Sequence, residues 1–369
     1  MASAPLFILS FPLLLPLLFQ SLSSENHFVK GDRVIQTDVQ RETGEGDQPN
    51  ISNRRLLAGL SGLNANAVVA QNGRGNYRTI QEAVDKAPKY STRRYVIYIK
   101  TGEYVENVVV PQEKWNLTFA GDGKKRTILT SNKAGSILTS GALVVLGDGF
   151  FARDMAFVSK AGPQQGQAVA MRSDSHRSAF FRCSFLGYQD TLFANINHQF
   201  YRSCDIVGTI DFIFGDASVV FQNCNIYARR PLNGQANVII AQGKTDPITG
   251  GAVVLQNCHI TALENLGSVK TYLGRPWQKF STAIVMESFL DKLIEPAGWL
   301  EAMGANERIT VKFREYANTG PGSNTQKRVK WGGYKTVTNT AEVKQYTVAA
   351  FIHGNHWLPA LRVPFKAGL

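Results

Sequence analysis

Two carboxylates lie inside segments that otherwise read as buried strand. Asp190 sits in "GYQDTLF" and Asp211 in "GTIDFIFG", 21 residues further on. A lone Asp in an apolar run is ordinarily a turn residue or a satisfied core acid. Two at a regular interval suggest a pair, and close carboxylates cannot both ionise easily, so one keeps its proton. Such a pair can supply a charged nucleophile or base beside a proton donor. Gln189 directly precedes Asp190, and Gln167 lies 23 residues before it in "GQAVAMR". Amide donors beside two acids can stabilise an oxyanion, as acyl transfer requires. Further on, "YLGRPW" offers a fixed cation in Arg275 and, in Trp277, a flat apolar surface suited to a sugar ring. Singly, each has a plainer reading: a polar strand-face residue, a loop salt bridge, core packing.

What could position them is a repeat. Phe180-Phe181-Arg182-Cys183-Ser184-Phe185 matches segments around Cys204, Cys224 and Cys258, each with a large apolar residue three before the Cys and Phe or Ile two after it. A weaker copy without Cys begins at Phe151. The Cys intervals are 21, 20 and 34 residues, the last holding an insertion. Short strands at a period near 20 predict an all-β solenoid, a parallel β-helix, whose coils stack about 4.8 Å apart. Asp190 and Asp211 then become neighbours on one wall. The four Cys form a stack, either of free buried thiols or with disulfides, Cys224–Cys258 first among them. Thr79-Ile80-Gln81-Glu82 is a capping box, and Ile80, Ala83, Val84 and Ala87 recur at helical spacing. This predicts a helix that covers the solenoid's open end. A second short helix is expected around Ala341 to Tyr346.

The 369-residue chain is long enough for a sizeable core. Its apolar run Leu6 to Phe19, broken by Pro12 and Pro16, is too short to span a bilayer, so residues 1–24 read as a cleaved secretory signal rather than an anchor. Residues 25–57 form a polar leader ending in Arg54-Arg55-Leu56-Leu57, an expected processing site, and residues 58–369 form the β-helix domain. Without the first 57 residues the chain carries 35 Lys and Arg against 22 Asp and Glu, a net charge of +13. A secreted protein this basic should meet polyanions. Basic clusters are short and no nucleic-acid motif is visible, so an acidic polysaccharide is the better expectation. Asn50-Ile51-Ser52 and Asn116-Leu117-Thr118 are glycosylation acceptor sequences.

From about Ala67 onward the sequence resembles plant-type pectin methylesterases (pectinesterases). The motifs "GEYVENV", "GQAVAMR", "GYQDTLF", "GTIDFIFG", "ARRP", "AQGKTDP" and "YLGRPW" occur in that family's order. The resemblance implies a right-handed parallel β-helix that hydrolyses methyl esters of polygalacturonate without a cofactor or metal. It implies Asp211 as nucleophile, Asp190 as general acid and then base, and Gln167 and Gln189 as oxyanion and site amides. Arg275 is implied to orient the nucleophile and Trp277 to stack on sugar. The implied partners are methyl-esterified pectin and a proteinaceous inhibitor, acting on a monomer in the cell wall, with no nucleic acid or membrane. The leader is shorter than the inhibitor-like pro-domain of longer members. Two other readings remain open: a polygalacturonase-like depolymerase, and a weakly active wall-binding protein. The chain departs from the family pattern at Leu138 and Ala142, where an aromatic and a Thr usually line the cleft. It also departs at Asp216, an extra acid expected close to Asp211, at His198, and at Ala360-Leu361-Arg362.

Overall fold

The computed structural model describes residues 64–301 and 307–369. The expected signal segment, the leader, Asn50 and the Arg54–Leu57 tetrad lie outside the described residues. Short strands, three to a coil, fall in turn into parallel sheets of eleven, eight and seven strands. Within each sheet, neighbours come from successive coils, and the chain is the right-handed parallel β-helix expected. Among the described residues, no helix is long and apolar enough to cross a membrane.

The sequence repeat is the strand register. Phe180 pairs with Tyr201, Tyr201 with Phe221, and Phe221 with Leu255. Inside the solenoid Phe180, Tyr201 and Phe221 stack with ring centroids 4.7 and 4.5 Å apart. The weaker copy is shifted by one residue from its expected alignment: Phe180 faces Ala152, not Phe151. The corner after each strand of the eleven-stranded sheet explains the shift. Asp154, Arg182, Ser203, Asn223, Asn257, Glu287 and Ala317 occupy that corner in successive coils, all left-handed with φ between 49° and 57°. Each of the first five donates its backbone N–H to the next coil at 3.0–3.2 Å. The following residue points inward, giving a column Met155, Cys183, Cys204, Cys224, Cys258, Ser288 and Asn318. The four Cys are free, buried thiols, so the alternative of a Cys224–Cys258 disulfide is not realised. Their Sγ atoms donate instead to backbone carbonyls, Cys204 to Phe180 at 3.4 Å and Cys258 to Phe221 at 3.4 Å.

At the open end, helix α1 (Ile80–Lys86) forms with both halves of its capping box. The Glu106 carboxylate adds a long-range cap, accepting from the Ile80 and Gln81 N–H groups at 2.9 and 3.0 Å. Asn116 is left-handed and donates its side-chain amide to the Ser91 carbonyl at 2.8 Å, while Thr118 is buried, so in the folded chain this acceptor sequence holds a turn. The C-terminal helix forms over Ala341–Lys344, shorter than expected, and a second covers Val348–Phe351. Val343, Ile352, Trp357, Leu358 and Leu361 pack on the outward face of the eleven-stranded sheet, against Phe200, Val220, Val254 and Ile284. Leu361 thus has a packing role, and Arg362 ends the last turn in a left-handed conformation.

Candidate active site

The site lies on the seven-stranded sheet. Its strands are β1 (Val108–Val110), β2 (Leu143–Val145), β3 (Met171–Ser173), β4 (Leu192–Ala194), β5 (Ile213–Gly215), β6 (Asn237–Gln242) and β7 (Thr271–Pro276). Leu143, Met171, Leu192, Ile213 and Ile240 face the core. One register row faces the other way: Val109, Val144, Arg172, Phe193, Phe214, Ala241 and Arg275. Two arginines therefore flank an aromatic pair on the outer wall.

Asp190 and Asp211 stand two residues before β4 and β5, whose first residues pair in register. The sequence spacing does place them one coil apart. Both are left-handed, with φ of 60° and 51°, a conformation that Asp tolerates better than most residues. The Asp190 N–H donates to the Ile210 carbonyl at 3.0 Å, tying one acidic turn to the next. Arg229 braces the first turn from behind, its guanidinium 3.8 Å from the Tyr188 ring centroid.

The two acids differ sharply in surroundings. Arg275 holds Asp211 through both carboxylate oxygens, Nε to Oδ1 at 2.8 Å and Nη2 to Oδ2. It does so across β6, where Ala241 is small enough to let the side chain pass. Among the described residues Asp190 has no ion pair of its own. Burial, joined by the charge of Asp211 and opposed by that of Arg275, pushes its carboxyl up to about 8. At neutral pH Asp190 therefore keeps its proton, beside an acid gripped on both oxygens by a guanidinium.

The amides approach the same turn. Ala168 donates its N–H to the Gln189 carbonyl at 3.2 Å, which brings Gln167 to the Gln189–Asp190 turn. Gln167 is exposed and Gln189 half-buried. Trp277 lies over Gly243, where a Cβ would approach the ring to 2.7 Å, so Gly is required there. Its indole meets Phe214 edge-on at 5.9 Å. All six residues singled out from sequence thus lie on this sheet or in the turns at the ends of its strands.

Four contributors escaped the sequence reading. Phe193 and Phe214 stack with centroids 4.4 Å apart and planes 8° from parallel. Each stands three residues after an acid, so the same repeat that paired the acids could have paired the rings. Ile137 packs on this cluster with Trp277. Arg172 was the least accessible. It binds Asp174, donates Nη1 to the Leu138 carbonyl at 3.1 Å and lies 5.8 Å from the Phe193 centroid. With Gly135 N–H donating to the Gln167 carbonyl at 2.8 Å, the loop that carries Ile137 and Leu138 is fastened at two points.

The departures sort themselves. Leu138 is half exposed on that loop, whereas Ala142 is buried and lines nothing. Asp216 does not join the acidic pair: its Oδ1 accepts from Gln242 and from the Gly251 N–H, both at 2.9 Å, and it is not among the charges acting on Asp190. His198 lies between His176 and His353, with ring centroids 5.2 and 5.8 Å away, where the C-terminal segment meets the solenoid. Among the described residues no group of three or more His, Cys, Asp or Glu is arranged to hold a metal ion.

A pectinesterase family model matches residues 66–355. The chain belongs to the pectinesterase family. It is 51% identical over 313 residues to pectinesterase 2 of Citrus sinensis, covering 83% of this chain and 61% of that one. It is 48% identical to the pectinesterase/pectinesterase inhibitor PPE8B of Prunus persica, covering 85% and 62% respectively. It thus spans about three-fifths of the length of these pectinesterases. The structure of pectin methylesterase from carrot superposes with a TM-score of 0.82 at 45% identity, covering 83% of this chain and 99% of the other. The pectin methylesterase of Aspergillus niger gives 0.68 at 28% identity, covering 79% and 94%.

Proposed function

We propose that this chain hydrolyses methyl esters of polygalacturonate, with Asp211 as nucleophile and Asp190 as proton donor. The observation that carries the reading is the asymmetry of the acids, Asp211 gripped through both oxygens by Arg275 and Asp190 buried beside it without such a partner among the described residues. A free lone pair of the Asp211 carboxylate attacks the ester carbonyl carbon. The amides of Gln167 and Gln189 receive the oxyanion that develops. As the tetrahedral adduct collapses, the bond to the methoxy oxygen breaks and Asp190 protonates that oxygen, releasing methanol and leaving an acyl-enzyme on Asp211. Asp190, now a carboxylate, takes a proton from water as the water adds to the acyl carbon. Collapse frees the galacturonate carboxyl and restores both acids. Trp277 and the Phe193–Phe214 stack provide an apolar surface for the sugar ring and the ester methyl.

The family membership and the names of the relatives support pectin as substrate. The net charge of +12 suits a polyanionic wall polymer, and an extracellular site of action follows from that substrate. Sensitivity to a proteinaceous inhibitor belongs to the same proposal. The test is methanol release from highly methylated pectin, measured beside the formation of reducing ends. The reading requires methanol without new reducing ends. New reducing ends would favour a depolymerase, and binding without either product a wall-binding protein.

A further inference from the structure

At the capped end of the solenoid, two aromatic rings are held out in solvent. Tyr90, between α1 and the strand Tyr95–Ile99, is 60% exposed, and Trp115, before the strand Leu117–Gly121, is 37% exposed. The rings meet edge to face, 5.1 Å apart at 82°. Tyr90 is also left-handed, with φ of 51°. That conformation strains a bulky residue, and an exposed ring recovers little of the cost through burial. The stability of the fold does not account for this residue here.

The frame around the pair is rigid. Tyr90 donates its N–H to the Glu113 carbonyl at 2.7 Å, and Asn116 returns a bond to the Ser91 carbonyl at 2.8 Å. The Asn116 N–H is fixed on the Asp148 carbonyl at 2.8 Å. Lys114, next to Trp115, is buried, with Nζ donating to the Asp85 carbonyl at 2.8 Å and to that of Ala87. The backbone that carries both rings is thus fixed, which lowers the entropy lost on binding. Lys86 and Arg93 are exposed in the same segment, as is Lys89, whose ammonium lies 3.4 Å from Glu113.

We propose that Tyr90 and Trp115 form a second binding platform, for a galacturonate stretch of the polymer outside the catalytic cleft. A ring face stacks on the apolar face of a sugar, and Lys86, Lys89 and Arg93 meet its carboxylates. Trp115 follows β1, three strands from β4 in the sheet order, or about 14 Å along the solenoid at the usual strand spacing. Trp115 lies past the end of its strand whereas Asp190 precedes β4, so a polymer chain that reaches both places runs obliquely across the sheet. The proposal rests on the reading of the substrate as a polygalacturonate.

The experiment uses the full chain and the variants Tyr90→Gly, Trp115→Ala and their combination. Gly at position 90 relieves the left-handed strain, so Tyr90→Gly is expected to fold with an unchanged or raised Tm. Binding to long polygalacturonate is measured at low and high salt. Kinetics are compared on long methylated pectin and on a short methylated oligogalacturonate. The double variant should bind the polymer about tenfold more weakly, with the loss persisting at high salt because stacking is not screened. Tyr90→Gly alone should show part of that loss. KM for long pectin should rise at constant kcat, and kinetics on the short oligomer should match the wild type. Unchanged polymer binding by a folded double variant would overturn the platform, as would equal losses on the short oligomer. If no protein releases methanol but polymer binding still falls, the esterase reading fails and the platform stands.

Discussion

The molecule uses one backbone device twice. At the corner after the eleven-stranded sheet, left-handed residues repeat coil after coil, each followed by a residue that points inward, such as Cys183 after Arg182. At the turns before β4 and β5 the same pattern recurs: Asp190 is left-handed with buried Thr191 after it, and Asp211 with buried Phe212. At the corner the Arg182 side chain reaches water, 47% exposed. At the other turns the outward side chains are covered, leaving Asp190 5% and Asp211 7% exposed. The solenoid therefore supplies spacing in both places. Chemistry arises only where an aromatic and apolar wall removes water from the side chains that the spacing has aligned.

The strongest way to break this comparison is to neutralise each stack in turn. Asp211→Asn should abolish turnover, because no acyl-enzyme can form. Asp190→Asn should slow acylation of methyl esters by about 10²–10⁴-fold, the usual range for general acid catalysis. Asn tolerates the left-handed turn, so neither change should disturb the backbone. Changing Arg182 to Asn at the corner should leave activity unaltered.

Next comes the price of desolvation. The Asp190 carboxyl is raised by burial and by Asp211. The folded state thus binds this proton more tightly than the unfolded chain does. Its stabilising effect is complete below the unfolded pKa of about 4 and is lost as pH rises through about 8. Asp190→Asn should therefore raise Tm relative to wild type, with a difference that grows between those limits and is flat above them. In the wild type, the alkaline limb of kcat should fall near the same upper limit.

A smaller effect is expected at Arg172, which fastens the loop of Ile137 and Leu138. Arg172→Lys loses the two-pronged grip on Asp174 and should raise KM several-fold with kcat little changed. The smallest is at the structural corner. Ser203→Gly removes left-handed strain but adds chain entropy to the unfolded state, so stability should move by less than about 1 kcal/mol, read by denaturant unfolding.

The period-20 repeat made the solenoid and the acidic pair legible, because stacking coils turn sequence intervals into neighbours. The capping box of α1 was equally plain, since its partners lie three residues apart. What sequence could not show was set by neighbours on other coils. Phe151 was misaligned by one because the left-handed corner, not the aromatic residue, fixes the register. Asp216 was expected as an extra acid close to Asp211, yet its carboxylate is held by Gln242 and the Gly251 N–H. The choice between thiols and disulfide at Cys224 and Cys258 depended on side-chain direction within a column. Arg172 stayed hidden because its partners, Asp174 and the Leu138 carbonyl, have no motif in common.

The division of labour between the acids is tested most directly by the leaving group. The reagents are oligogalacturonate esters of methanol and of trifluoroethanol, and the quantity is the first burst of released alcohol, before deacylation limits turnover. A more acidic alcohol departs without help from a proton donor. Asp190→Asn should therefore recover much of its burst on the trifluoroethyl ester, while Asp211→Asn shows none on either. Rescue of Asp211→Asn instead, with Asp190→Asn silent, would contradict the account and exchange the two roles.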